Sequence, residues 1–462
     1  MNITIKDYRQ RRNILTKNIA KGIILFPANQ VLPRNYAANS LPFRQDSTFL
    51  YYTGINVPDL FLVIDCQSDV TILAGHEPTI EDAIWSGPQK SLNVIAESSG
   101  IEQVLPVGRL KDKINNYQAE GRKIHYLPPY TSGRNNFLSE LLNIPQQSII
   151  GEASEELIRA VIDQRSVKSD SEITEIESAL DLVTGPMHRT AMKMAIEGNY
   201  EYQVVAEMYK LAKANDLEFA FPVICSVHGE VLHNESHRNK LQKGQLLVVD
   251  AGVESMNHYA SDITRTTPVG GRFSAQQREI YEIVLNTQEN AIKRLQPGIR
   301  YLDVHSEAAR DITRGLKMLG LMRGDINGAV DAGAHALFFP HGLGHMLGLD
   351  VHDMEDLGEN RVGYDEHTSR SKQFGTAYLR LAKALQPGYV VTVEPGIYFV
   401  PALIEQWREQ KKHTEFINYP ALKKYMQFGG IRIEDNVAIT GSGCNLLGNP
   451  IVKTSDEIEA LF

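Results

Sequence analysis

The sequence predicts an α/β domain over residues 1–165, followed over 166–462 by an α+β domain whose two halves are related by an approximate two-fold axis. Three observations carry this. The first part alternates short β-rich runs with helical stretches. A capping-box spacing then opens a long helical pattern just after Ser166. Finally, a ten-residue motif occurs twice in the second part, as KGQLLVVDAG (243–252) and as PGYVVTVEPG (387–396). A chain of 462 residues is also too long for a single core, so at least two domains are required.

Taken in order, MNITIKDYRQRRNILTKNIAKG carries charges every few residues and no apolar core, so it reads as an amphipathic helix and not as a signal peptide. GIILFPA (22–28), FLYYTG (49–54), LFLVID (60–65), VTILAG (70–75) and KIHYLPP (123–129) are rich in β-branched and aromatic residues and read as strands. RLKDKINNYQAEG (109–121) and EELIRAVIDQR (155–165) read as helices. Ser169 stands three residues before Glu172, where serine and glutamate cap a first turn reciprocally, and helices over 171–197 and 201–215 are expected to follow.

The repeat then sets the architecture. In each copy a glycine (Gly244, Gly388) is followed six residues later by an acid (Asp250, Glu394), and two residues on by another glycine (Gly252, Gly396). Each copy is followed by a second acid: Asp262 in HYASDITRT and Glu434 in GGIRIEDN. LQPG also occurs twice, at 295–298 and 385–388. A duplicated helix–helix–strand–strand unit follows, and its axis brings four carboxylates together.

Composition excludes several classes. A net charge of −9 with 22% charged residues argues against a nucleic-acid-binding surface. No apolar run approaches the ~18 residues of a membrane span. Cys66, Cys225 and Cys444 are too scattered for a disulfide framework or a thiolate metal site, and a cytoplasmic location is expected.

Four carboxylates in an interior cannot all stay ionised unaided, because an unpaired buried ion costs several kcal/mol. Two divalent cations balance them, with carboxylates bridging ions roughly 3.5–4 Å apart. The alternative is that each acid caps a strand or pairs with a base such as Arg265 or Arg432. HGLGHMLGLDVHD (341–353) offers histidines in a stretch where Gly342, Gly344 and Gly348 argue against a helix interior. No glutamate follows His341, so it is not the HExxH zinc helix. Oxygen donors with one imidazole suit Mn2+ best, with Co2+ or Zn2+ tolerated. Such ions activate water at neutral pH and polarise a carbonyl, so hydrolysis of an amide or ester is the expected reaction.

The set Asp250, Asp262, His345, Glu394 and Glu434, inside VVDAG, SDITRT, HGLGHMLGLDVHD, VEPGIY and GIRIEDN, resembles the "pita-bread" (creatinase/aminopeptidase-like) M24 metallopeptidases: aminopeptidase P, prolidase and methionine aminopeptidase. PFRQDSTFLYYTG (42–54) and IWSGP (84–88) resemble the additional N-terminal domain of aminopeptidase P and some prolidases. The resemblance implies Asp250 and Asp262 on one metal, His345 on the other, and Glu394 and Glu434 bridging, with Glu394 also the general base. It further implies that His341 and His352 steady the reaction's intermediate and that His233 in EVLHNES contacts substrate, with Tyr398 and Arg432 close by.

The implied substrate is a peptide with proline at its second position, whose Xaa-Pro bond lacks the N–H that most peptidases require. PFRQDSTFLYYTG and the ending KTSDEIEALF resemble aminopeptidase P; the insert at 401–428, and Arg380 where prolidases keep a carboxylate-binding arginine, resemble prolidase. The acids of DVHDMEDLGEN (350–360) either attract the substrate's amino group or form a solvated loop. A catalytically dead binding protein of this fold should have lost ligands, and a metal-free creatinase-type hydrolase should lack most of the carboxylates; all are present here. The resemblance also suggests a homodimer or homotetramer.

Overall fold

The computed structural model describes residues 3–462. The chain divides into two compact units: Met1–Arg165 with Met354–Gly358, and Ser166–Asp353 with Glu359–Phe462. Among the described residues no helix is long and apolar enough to cross a membrane.

The first unit is built on a five-stranded mixed sheet. Strands β1 (Ile23–Pro27), β2 (Phe61–Asp65), β3 (Val70–Gly75), β4 (Gln103–Pro106) and β5 (Ile124–His125) lie in the order β4-β3-β2-β1-β5. The outer strands pair parallel and the central ones antiparallel. One expected strand is absent: FLYYTG belongs to the helix Ser47–Thr53. The Asp46 side chain accepts the Phe49 N–H at 2.8 Å, and Gly54, at φ 65°, ends the helix in the left-handed conformation. All seven residues are buried, so no amphipathic period marks them as helical and the aromatic content mimics a strand. Arg11 and Arg12 of the first helix, Ile5–Ile19, donate to the carbonyls of Tyr51 and Tyr52 at its C-terminal end, at 2.9 and 2.7 Å.

The second unit opens with the Ser169–Glu172 capping box. The helix expected over 171–197 is three pieces: Asp170–Ala179, a π turn over Leu180–Thr184, and Gly185–Lys193. Pro186 accounts for the interruption, since it has no N–H for the helical ladder and its ring crowds the preceding turn. After the helix Glu201–Ala214 come β6 (Ile224–Ser226), β7 (Leu246–Ala251) and β8 (Ile263–Pro268), an antiparallel sheet in that order. The second half repeats the plan. The helices Ala275–Arg294 and Tyr301–Met318 precede β9 (Val390–Val393), the pair β10 (Gly396–Tyr398) and β11 (Gly430–Arg432), then β12 (Asp435–Ile439) and β13 (Cys444–Leu446). Its sheet runs β13-β12-β9.

Corresponding registers put corresponding acids at one end of each sheet. Asp250 is in β7 opposite Thr264, Glu394 directly follows β9, and Asp262 and Glu434 each stand one residue before the returning strand. The halves are stitched where those strands meet. The Glu434 N–H donates to Thr264 O at 3.1 Å, and the Asp262 N–H donates to Asn436 Oδ1 at 3.0 Å. Thr264 and Asn436 each lie two residues after their own half's second acid, so each half holds the backbone of the other's second acid.

Candidate active site

Asp250, Asp262, His345, Glu394 and Glu434 line one cavity of about 550 Å³, together with His233, His341, His352, Arg380 and Arg432. Tyr398 stands behind the wall and does not line it. Strand ends deliver the four acids. His345 comes from an irregular stretch bonded along β9: the Thr392 N–H donates to His345 O at 3.0 Å and the Leu347 N–H donates to Val390 O at 3.0 Å. A Cβ on Gly344 would collide with the Thr392 carbonyl, which is why this approach needs glycine.

The electrostatics are unbalanced. Asp250 accepts from Arg432 Nη2 at 2.6 Å, and Glu434 accepts the Thr264 hydroxyl at 2.6 Å, but Asp250 Oδ1, Asp262 Oδ1 and Glu434 Oε1 are buried with no protein donor. Burial raises Asp262 well above the usual carboxylate range, with the charges of Asp250 and Glu394 adding to it. Glu434 is raised by burial and by Asp262, and Glu394 by burial despite His345 and Arg432. Arg265, the other base the sequence offered as partner, bonds Asp435 at 2.6 Å instead.

His345 shows what the cluster accommodates. Its Nδ1 lies 3.0 Å from the Met346 carbonyl, which can only accept, so Nδ1 carries the proton and Nε2 is bare in the neutral ring. Burial favours that neutral ring. Nε2 faces Asp262 Oδ2 at 3.4 Å and Glu394 Oε1 at 3.8 Å, a lone pair against two carboxyl groups. The ligand atoms of Asp262, His345 and Glu434 lie within 4.8 Å of one another. A cation among them would meet the bare imidazole nitrogen and the carboxyl groups of Asp262 and Glu434, and a carbonyl-anchored imidazole is how proteins orient a metal-binding histidine. The residues fit a divalent metal with mostly oxygen donors.

A hydrogen-bonded chain runs from the cluster to His341. Arg432 bonds Asp250 and donates through Nη1 to Tyr398 Oη at 3.0 Å, and the Tyr398 hydroxyl donates to His341 Nε2 at 2.9 Å. His341 Nδ1 donates to Gly342 O at 2.8 Å. Burial and then Arg432 pull the His341 pKa down to about 3, so the ring is neutral, whereas burial pushes Tyr398 up to about 12. His352 packs edge-on to His345 with ring centroids 4.4 Å apart, while His233 is exposed at the cavity mouth.

Two expectations need correction. None of the acids of 350–360 lines the cavity, and the run is not simply a solvated loop: Asp353 is buried, 2.8 Å from Lys168 Nζ. Sequence reasoning also passed over Thr264, whose hydroxyl serves both Glu434 and, at 3.1 Å, Arg432 Nε. Its signal was position, two residues after Asp262 and therefore on the same strand face. The apolar wall of Phe221, Leu232, Phe374 and Tyr378 carried no motif.

Comparison with known proteins gives the family. Residues 176–441 match metallopeptidase family M24, and residues 8–125 match the aminopeptidase P N-terminal domain. Full-length relatives include the Xaa-Pro aminopeptidase of Escherichia coli, 30% identical over 100% of this chain and 98% of its own length. A probable Xaa-Pro aminopeptidase of Neosartorya fischeri is 31% identical over 96% of this chain and 93% of its own. The structure of Pseudomonas aeruginosa aminopeptidase PepP superposes with a TM-score of 0.82 at 29% identity, covering 99% of this chain and 98% of that one. Zinc-substituted E. coli aminopeptidase P in complex with product gives the same TM-score, identity and coverage. The chain thus belongs to metallopeptidase family M24, joins an aminopeptidase P N-terminal domain to the pita-bread catalytic fold, and is a metallo-exopeptidase.

Proposed function

We propose that the protein is an Xaa-Pro aminopeptidase, releasing the first residue from peptides whose second residue is proline, with two divalent metal ions, manganese foremost. One observation carries the metal reading: Asp250, Asp262 and Glu434 each keep a buried oxygen without a donor in a cavity of peptide size where the bare His345 Nε2 faces Asp262 and Glu394. Full-length relatives named for Xaa-Pro cleavage supply the substrate class.

We assign Asp250 and Asp262 to one ion, His345 to the other, and Glu394 and Glu434 to both. When bound, such ions supply activation of water at neutral pH and polarisation of the scissile carbonyl. Glu394 is assigned as general base because its side chain is 19% exposed, against 7% for Asp262 and 12% for Asp250, so it can meet the attacking water's proton. His352 is assigned to steady charge developing on the carbonyl oxygen, and His341 joins it once its ring releases the bonds to Tyr398 and Gly342 that occupy both nitrogens here. His233, at the mouth, is assigned to the substrate backbone.

Mn2+-supplemented hydrolysis of Gly-Pro beside a longer Xaa-Pro-Yaa peptide tests the reading. Release of the first residue from the longer peptide is expected. Activity confined to the dipeptide would select an Xaa-Pro dipeptidase, the second reading, which Arg380 favours because it lines the cavity and a free proline carboxylate would need a cation there. Arg380→Ala then separates the two: on the aminopeptidase reading it affects both substrates alike, on the dipeptidase reading the dipeptide far more.

A further inference from the structure

We propose that the buried ion pair Lys168–Asp353 is a positioning device for the active site, stapling the segment that presents His345 and His352 to the base of the strand that ends at Glu394; this rests on the dinuclear reading above. Lys168 Nζ donates to Asp353 Oδ2 at 2.8 Å, and both side chains are only 1% exposed. Desolvating two ions largely cancels their attraction, so such a pair contributes little net stability compared with two apolar side chains. Its contribution is directional, and both ends are tied to backbone that matters.

At one end, the Asp353 N–H donates to Met346 O at 3.0 Å, and Asp353 Oδ1 receives the Asp350 N–H at 3.4 Å. These bonds close 346–353 into a loop, with His345 directly before it and His352 at its closing end. Gly348 lies against the Asp353 carboxylate so closely that a Cβ there would overlap it. The carboxylate is thus the plug around which the loop is wound. At the other end, the Lys168 N–H donates to Gly388 O at 2.8 Å, in the turn that begins the second copy of the repeated motif. From Gly388 the chain runs along β9 to Glu394. The salt bridge therefore adds a second tie between the histidine loop and the root of the Glu394 strand: backbone bonds to β9 hold the His345 end, and the ion pair holds the His352 end, where His352 packs 4.4 Å from His345.

The test compares Asp353→Asn, Lys168→Met and the charge-free pair Lys168→Met/Asp353→Leu, reading Tm, kcat and KM separately, and the visible absorption band of the Co2+-loaded protein. Each single variant strands a buried charge or its partner and should lower Tm; the double variant should regain it. Despite that recovery, the double variant should keep an altered Co2+ band and a kcat reduced by about 10- to 100-fold, the usual cost of removing a group that orients metal ligands, with KM changed far less. A double variant with wild-type kcat and band would overturn the proposal. Should none of these fold, Asp353→Glu keeps the charge but lengthens the plug by a methylene: a shifted band with lowered kcat is expected, and an unchanged enzyme overturns the proposal. Wild-type protein that takes up no Co2+ would overturn the metal reading along with this one, whereas unchanged variants of a Co2+-binding protein overturn the pair alone.

Discussion

Asp262 and Thr264 stand two residues apart on one strand face and call for opposite outcomes. Asp262 crowds Asp250 and Glu394 in the metal-free protein, so removing its charge relieves a repulsion. Asp262→Asn should therefore abolish turnover and weaken metal uptake while leaving the apo Tm equal to or above wild type; a variant with wild-type rates discredits the ligand assignment. The Thr264 hydroxyl is a donor to Glu434 and an acceptor for Arg432. Thr264→Val keeps the shape and removes both bonds, which should cost about 1–3 kcal/mol in urea unfolding because buried polar partners are left unmet. The acids and His345 were legible because each sits in a short contiguous motif. Thr264 was not, since its importance comes from a partner 170 positions away in the chain.

Among elements, the helix Tyr301–Met318 carries a titratable group inside its apolar face. His305 is 2% exposed, has no partner on either ring nitrogen, and packs on Phe339 and the neutral His335 ring, with His341 beyond Phe339. Burial, then His335, depresses its pKa to about 3; burial likewise takes His335 to about 4. An unfolded histidine titrates near 6.5, so below that pH the unfolded chain binds protons the folded one refuses. Stability should fall as pH drops from about 6.5 towards 4, by up to about 1.4 kcal/mol per pH unit for each histidine. His305→Phe should flatten that slope in chelator-treated protein, and unfolding at stepped pH measures it. Burial also explains the misread element. The helix Ser47–Thr53 is enclosed on all sides, so periodicity, the strongest sequence signal, vanishes there. Its Asp46 cap and Gly54 stop were in the sequence all along and were outvoted by Phe49, Tyr51 and Tyr52. The repeated motif, by contrast, announced two matching strands because six-residue spacing from glycine to acid survives whatever packs around it.

For the molecule as a whole, orphaned carboxylate oxygens couple folding to metal. Stripping the protein with a chelator should lower Tm, and restoring Mn2+ at ~1,000 times its Kd should return about 4 kcal/mol; a Tm indifferent to both treatments would count against the cluster as a metal site. The reciprocal bonds in which Thr264 holds Glu434 and Asn436 holds Asp262 also govern when the centre can exist. A nascent chain exposes Asp250 and Asp262 long before Glu434 and Asn436 leave the ribosome, and until then the earlier acids lack both their counterparts and their clamp. On the ligand assignment proposed above, peptidase activity is accordingly withheld from every translation product that stops short of Asn436, until the later half can close against the earlier one.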